Sequence, residues 1–387
     1  IAHSEVDKIF EYRAIEGVKP GCRVRVPFGG RTIEGYVMRL KEGSDFDPAK
    51  LKSVLSVVDE PLTEECLSLV ESISARYHCP KALVLRLFLP SEMRKGAVRE
   101  LFKTIAVLKD GTAEIPARAK AQAAAFAFLQ ENPRFGYTEL CDKFGRGAVN
   151  ALAEKGVISL EKERVLRTPY SGVQGQAAER TLTPAQSAAV ENIGKSEKTV
   201  QLLHGVTGSG KTEIYLTLIA KALAEGKNAI FLVPEISLTP QMFSQLRARF
   251  GDSAAILHSG LSAGEKFDEW QRLRTGEAKI AVGARSAVFA PVENIGVIIL
   301  DEEHENTYKQ SEPPPRYHAR EVAEKLAQLS GAALVLGSAT PSVEAYFKTE
   351  DKTYRLFTLA KRAKTGSEMA AVEVVDLRKE MENGNKS

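Results

Sequence analysis

The sequence predicts a multidomain α/β protein: a small β-rich N-terminal domain over residues 1–105, a winged-helix domain over 106–175 and a doubly wound, parallel α/β lobe over 176–387. Three observations predict it. Period-two alternation around a Gly-Gly turn marks the first region. Short helical stretches followed by alternating runs mark the second. Continuous Val/Ile/Leu runs separated by helical segments mark the third, as parallel strands buried on both faces require.

In the first region, Arg23-Val24-Arg25-Val26-Pro27-Phe28 alternates polar and apolar residues, Gly29-Gly30 supplies a turn, and residues 32–38 alternate again, which is a hairpin pattern. A charged loop over 41–50 leads to a further strand-like run at 53–58. After Pro61, Leu67, Val70, Ile73 and Ser74 fall at helical spacing, so the β-rich domain carries an appended helix. In the second region an Ala-rich helix over 117–130 is broken by Asn132-Pro133. A second helix opens at Thr138, its expected N-cap, and a third covers 147–154. Residues 156–160 and 164–167 then alternate as the two strands of a wing. Such modules contact either nucleic acid or protein, and both readings stand. Residues 168–180 are polar and read as a linker. In the third region the buried strands are expected at 199–203, 229–233, 280–282, 295–300 and 332–336.

Composition narrows the class. At 387 residues, about two to three domains fit. The chain is 43% hydrophobic and 27% charged, with 29 Gly and 17 Pro, values that exclude disordered, collagen-like and coiled-coil chains. No apolar run approaches the ~20 residues of a membrane helix. The opening IAHSEVDKIF has neither a basic segment nor an apolar one that would make a signal peptide, and it lacks an initiator Met, so a few residues are expected to precede it. Cys22, Cys66, Cys79 and Cys141 form no CxxC pair, which points to four reduced thiols. The formal net charge is +3, and the basic excess lies before position 181. That is compatible with a nucleic-acid partner near the N-terminus without requiring one.

The strongest chemical signal is Gly205-Val206-Thr207-Gly208-Ser209-Gly210-Lys211-Thr212, which fits GxxxxGK[ST] between an apolar strand and a helical run. Glycines let backbone N–H groups converge on phosphate oxygens, and the helix N-terminus adds positive potential. Lys211 would reach the β- and γ-phosphates and Thr212 would ligate Mg²⁺. The bland alternative is a Gly-rich turn. Asp301-Glu302-Glu303-His304 closes another apolar strand, and such strand ends line the ligand crevice of an open sheet. Asp301 would hold Mg²⁺ and Glu302 would orient or deprotonate the attacking water. Gly337-Ser338-Ala339-Thr340-Pro341-Ser342 ends a third strand, where the hydroxyls of Ser338 and Thr340 could link the nucleotide site to another surface.

These motifs, in this order, resemble superfamily-2 helicases. Leu182-Thr183-Pro184-Ala185-Gln186 looks like the element that contacts adenine in that class, through Gln186. Leu232-Val233-Pro234-Glu235-Ile236-Ser237-Leu238-Thr239-Pro240-Gln241, Leu257-His258-Ser259-Gly260-Leu261-Ser262 and Gly283-Ala284-Arg285-Ser286-Ala287-Val288-Phe289-Ala290-Pro291 narrow the resemblance to the PriA-type primosomal helicases, over essentially the whole chain.

The resemblance implies an ATP-dependent 3′-to-5′ DNA helicase of replication restart, using ATP and Mg²⁺, with 176–387 as its RecA-like first lobe. It gives residues 1–105 the role of capturing the 3′-terminal nucleotide of a nascent leading strand through Phe10, Glu11, Gly29 and Lys52. A carboxylate can accept a hydrogen bond from a 3′-hydroxyl, a ring can stack on a base and a lysine can meet a phosphate. Taken by themselves, Phe10 reads as a core side chain, and Glu11 and Lys52 as solvated charges. The stretch Tyr308 to Arg320 resembles the family's aromatic-rich loop that senses single-stranded DNA. Tyr308, Lys309, Arg316 and Tyr317 are its implied DNA contacts and His318 also matches; Arg285, from the Gly283–Pro291 motif, is a further implied DNA contact, and His304, Ser338 and Thr340 are the implied coupling residues. Three prolines stand where members often carry Trp. Trp270 is expected to pack. Forked and single-stranded DNA, primosome proteins and single-strand-binding protein are the implied partners. The chain is expected to act as a monomer in the bacterial cytoplasm, at the nucleoid, without a membrane. The family continues into a Cys-rich zinc insertion, a second lobe and a C-terminal domain, so zinc is expected only there. The second lobe supplies an arginine worth ~10³-fold or more in phosphoryl transfer. Weak turnover is therefore expected of these residues alone. A DNA-binding module without its own turnover is the alternative. A kinase or GTPase would leave the Gly337–Ser342 motif unexplained.

Overall fold

Alternation builds the first sheet: β1 (Arg23–Phe28) pairs antiparallel with β2 (Arg31–Tyr36) and, on its other edge, with β3 (Ser56–Asp59). Gly29 and Gly30, at φ +55° and +76°, close the two-residue turn between Phe28 and Arg31, where a side chain at either position would be strained. Val24 and Val26 point inward onto Val18, Cys22 and Val54, a core of their own. The coordinates are a computed structural model, which describes residues 8–363 and 378 apart from 45, 48, 60–61, 90–97, 99, 117, 168–180, 198 and 238. The expected linker over 168–180 and the chain's last residues lie outside the described residues.

Helix α1 (Glu64–Arg76) starts at Thr63, whose hydroxyl accepts from the Cys66 N–H, and the short α2 (Lys81–Leu85) follows. These helices are not an appendage of the β-rich domain. Leu69, Val70, Ile73 and Val84 are buried in one core with the large sheet of the third region.

The second region corrects the sequence reading. It runs β4 (Leu101–Leu108), α3 (Lys120–Glu131), β5 (Arg134–Gly136), α4 (Tyr137–Phe144), α5 (Arg146–Glu154) and β6 (Ile158–Val165). Residues 158–165 form one strand, not a hairpin; it pairs antiparallel with β4 from Leu101↔Val165 to Leu108↔Ile158. The second strand of the wing thus precedes the helices, and β4 straddles the expected boundary at 105/106. Thr138 lies inside α4; the cap position is Gly136, which makes no side-chain bond. Leu129, Leu140, Val149 and Leu152 close the core between helices and sheet.

The third region is a RecA-like parallel sheet. After α6 (Pro184–Gly194) come β7 (Val200–Gly205), α7 (Lys211–Ala224), β8 (Asn228–Leu232), α8 (Pro240–Phe250), β9 (Ala254–Leu257), α9 (Ala263–Arg274) and β10 (Ile280–Gly283). The chain continues through β11 (Ile295–Leu300), α10 (Ala319–Ser330), β12 (Ala333–Ser338), α11 (Val343–Glu350) and β13 (Arg355–Leu359). The seven strands lie in the order β13-β7-β12-β11-β8-β10-β9, all parallel. Within each strand neighbours face opposite cores: Leu202, Ile230, Ile298 and Leu334 on one side, Leu203, Phe231, Ile299 and Val335 on the other. The five expected strands form the centre. The edge strands β9 and β13 escaped notice because each has few buried residues.

Candidate functional site

The order of the strands brings three motifs to one edge. The loop after β7, the acidic run after β11 and the hydroxyl-rich run after β12 share the carboxyl end of the sheet, with β12 between β7 and β11. Gly208 and Gly210 sit at φ +78° and +80°. A Cβ on Gly210 would stand 2.3 Å from Gln186 Nε2, and one on Gly205 would stand 2.6 Å from Ser209 Oγ. The loop is thus shaped by what glycine alone permits. Ser209 Oγ is buried with no hydrogen-bond partner. Lys211, largely buried at the start of α7, donates from Nζ to the Gly205 carbonyl at 2.9 Å and lies 3.8 Å from Glu302 Oε1. Gln186 does not face outward: its Nε2 donates to the Ser209 carbonyl at 2.9 Å, while its oxygen accepts from the Thr183 N–H at 2.8 Å.

Asp301 accepts from the Tyr215 hydroxyl at 2.9 Å. Burial, reinforced by the adjacent Glu302 carboxylate, pushes Asp301 up to about 6. A divalent cation would offset that penalty, and Asp301 with the exposed Thr212 hydroxyl is a hard-oxygen donor pair suited to Mg²⁺ held together with a nucleotide. Among the described residues no cluster of three or more His, Cys, Asp or Glu could hold a metal by itself. His304 Nδ1 lies 2.8 Å from Ser338 Oγ, and Ser338 Oγ accepts from the Thr340 N–H at 3.0 Å. Sequence reasoning missed the buried Glu303, which accepts from the Ser342 N–H at 2.6 Å and from Arg320 Nη1 at 3.0 Å. It also missed Tyr215. Its only signal is the four-residue step from Lys211, which places both on one face of α7.

The aromatic-rich loop is closed on itself. Lys309 and His318 form an antiparallel bridge, and Gln310 Nε2 donates to the carbonyls of Pro313 and Pro315. Two of the expected base-stacking residues are buried: Tyr308 donates its hydroxyl to the Asp301 carbonyl at 2.7 Å, and Tyr317 packs edge-on against Phe289. Neither presents a face to a base, because the same rings fill the core beneath the loop. Arg285 holds the loop from below, donating from Nη1 to the Lys309 carbonyl at 2.8 Å. Lys309 and Arg316 are the exposed cations. Trp270 packs as expected, its Nε1 donating to the Phe88 carbonyl at 3.2 Å.

In the N-terminal domain a cavity of about 540 Å³ is lined by Phe10, Glu11, Tyr36, Lys41, Ser44 and Leu85, among others. Phe10 stands edge-on to Phe28, with centroids 5.0 Å apart. Glu11 accepts from Ser44 Oγ and pairs with Lys41, both at 2.5 Å, and these two bonds hold its carboxyl below the usual range. Gly29 and Lys52 do not line this cavity: Gly29 is at the hairpin turn, and the Lys52 side chain is exposed. The structure therefore unites half of the expected pocket.

Residues 1–90 match the 3′DNA-binding domain (3′BD) of PriA, and residues 183–348 match the DEAD/DEAH box helicase family. The chain is 37% identical to the replication restart protein PriA of Bacillus subtilis, covering 100% of this chain and 58% of that protein. It is 34% identical to PriA of Chlamydia pneumoniae, covering 99% of this chain and 53% of that protein. The chain thus spans little more than half the length of these relatives. Among solved structures, RecG bound to a three-way DNA junction aligns with 49% of this chain and 25% of its own, at 22% identity and a TM-score of 0.37. Two domain matches, together with identity running from end to end, lead to one assignment: over the stretch it spans, the chain is similar to the replication restart proteins PriA.

Proposed function

We propose that this chain is the recognition and first-motor part of an ATP-dependent, 3′-to-5′ DNA helicase of replication restart, acting on forked and single-stranded DNA with primosome proteins and single-strand-binding protein. The observation that carries it is the 3.8 Å approach of Lys211 to Glu302 across neighbouring motifs at the carboxyl end of the sheet. In the proposed chemistry the loop N–H groups from Thr207 to Lys211 and the unpartnered Ser209 hydroxyl bind the phosphates. Lys211 leaves the Gly205 carbonyl to meet the β- and γ-phosphates. Thr212 and Asp301 would hold Mg²⁺, which supplies charge neutralisation at the transferring phosphoryl group. Glu302 orients the attacking water and takes its proton. His304, through Ser338, registers the change at the acidic run and passes it to the strand end that bears Thr340. Lys309 and Arg316, exposed on the loop that leans on Asp301 through Tyr308, would meet DNA phosphates.

Lys211→Ala is the test. In the complete protein, ATP turnover should fall at least ~100-fold, the scale of losing a positioned phosphate cation, while fork binding stays within about twofold of wild type. Parallel loss of fork binding would contradict separate recognition and motor parts. A second reading, a fork-binding module without its own turnover, is favoured by the preformed cavity at Phe10 and Glu11. It predicts that wild type and Lys211→Ala are indistinguishable in every assay.

A further inference from the structure

We propose that Tyr77, at the end of α1, is a positioning residue that ties the N-terminal part of the chain to the acidic run of the ATP site through the first turn of α10. Three sets of contacts meet on that one turn. From the N-terminal side, the Tyr77 hydroxyl accepts from the His318 N–H at 3.0 Å and donates to Glu321. Arg76 grips the same Glu321 carboxylate, its Nε at 2.8 Å. From the loop, Lys309 bridges His318 at the start of α10, and its ammonium sits 5.2 Å from the centre of the Tyr77 ring. From the ATP site, Arg320, between His318 and Glu321 in sequence, donates from Nη1 to Glu303 at 3.0 Å and to Ser342 Oγ at 2.9 Å.

Glu303 leaves little room for slack. It is buried, and its own N–H donates to the Gly337 carbonyl at 3.0 Å. A buried carboxylate must keep its donors or bear a desolvation cost, so a shift of Arg320 is felt at the Ser342 backbone and at the acidic run itself. Burial, together with Glu321, pushes the Tyr77 phenol up to about 12, so the hydroxyl keeps its proton and its two roles through the physiological range. Packing reinforces the tie, since α1 shares its core with α10 through Ile73, Val322 and Leu326. A displacement of α1 therefore turns the start of α10, and that turn carries Arg320.

Tyr77→Phe removes only the hydroxyl and keeps the ring under Lys309. Backbone hydrogen exchange of the full chain reads the link directly. His318 should exchange about threefold faster or more, the scale of one lost hydrogen bond. Ser342, which Tyr77 does not touch, should also speed up. A His318 effect with Ser342 unmoved would overturn the proposal, because a merely local role predicts that result. The effect on turnover rests on the motor reading above. There the variant should lower the maximal single-strand-stimulated ATP turnover several-fold at an unchanged half-saturating DNA concentration. An unchanged maximum alongside a loosened Ser342 would overturn the coupling. A complete protein, second lobe included, without any DNA-stimulated turnover would count against the motor reading instead, and the exchange pair would still decide the link.

Discussion

Single residues hold the nucleotide loop at the limit of what a backbone tolerates. Gly210→Ala places a methyl group against Gln186 at a left-handed φ, with strain of roughly 1–2 kcal/mol for the conformation alone. ATP affinity should fall by about tenfold or more in a titration with a fluorescent analogue, and the melting temperature should drop by about a few degrees. Glu321 makes a pH prediction. Its bonds to Arg76 and Tyr77 lower it from 4.5 to about 2, so its stabilising contribution is present above pH 4.5 and lost as pH falls through about 2. The difference in urea midpoint between wild type and Glu321→Gln should be flat above pH 4.5 and shrink steadily below it. Lys211, Asp301 and Glu302 were singled out by motif spacing, and the fold brings Lys211 and Glu302 within 3.8 Å. Tyr215, Glu303 and Arg320 were not legible, because each acts on a partner that only the fold brings near. Tyr308 and Tyr317 show the converse: an aromatic residue beside an acidic motif reads as a stacking platform until burial assigns it to the core.

At the scale of elements, runs of buried residues spoke clearly and pairings did not. The five central strands could be read from composition, whereas the wing was read as a local hairpin because sequence proximity is the default guess for pairing. Its true partner, β4, lies on the far side of three helices. The same strand pair carries the second region onto the motor lobe. Arg167, just past β6, donates from Nε to Asp268 Oδ2 at 2.7 Å and from Nη2 to Oδ1 at 2.9 Å, and its N–H reaches the same carboxylate at 2.8 Å. Asp268 on α9 is buried. Removing one partner of a buried pair strands the other charge, at a cost of about 3–5 kcal/mol, and the partial exposure of Arg167 places this pair at the lower end. Arg167→Ala should therefore lower the urea midpoint clearly, and adding Asp268→Asn should restore part of the loss. A double variant as unstable as the sum of the singles would show that the two side chains act independently.

The whole molecule places the Phe10–Glu11 cavity and the phosphate-loop site on one chain, with α1 and α10 packed between the N-terminal residues and the large sheet. What the cavity reads is the property on which the proposed fork-targeting function depends. Glu11 lines it as a carboxylate kept ionised by Lys41 and Ser44. An ionised carboxylate accepts a hydrogen bond from a 3′-hydroxyl but repels a 3′-phosphate. Like charges brought together repel, and Lys41 offsets only part of that. A fork whose leading strand ends in a 3′-hydroxyl should thus bind at least about tenfold more tightly than one ending in a 3′-phosphate. Glu11→Ala should erase the difference by weakening the first and relieving the second. Phe10→Ala should weaken both equally, since a stacking ring does not distinguish the two ends. Equal binding of both ends by wild type would mean that the N-terminal domain responds to backbone charge alone, and the fork-targeting role would then have no support from this cavity.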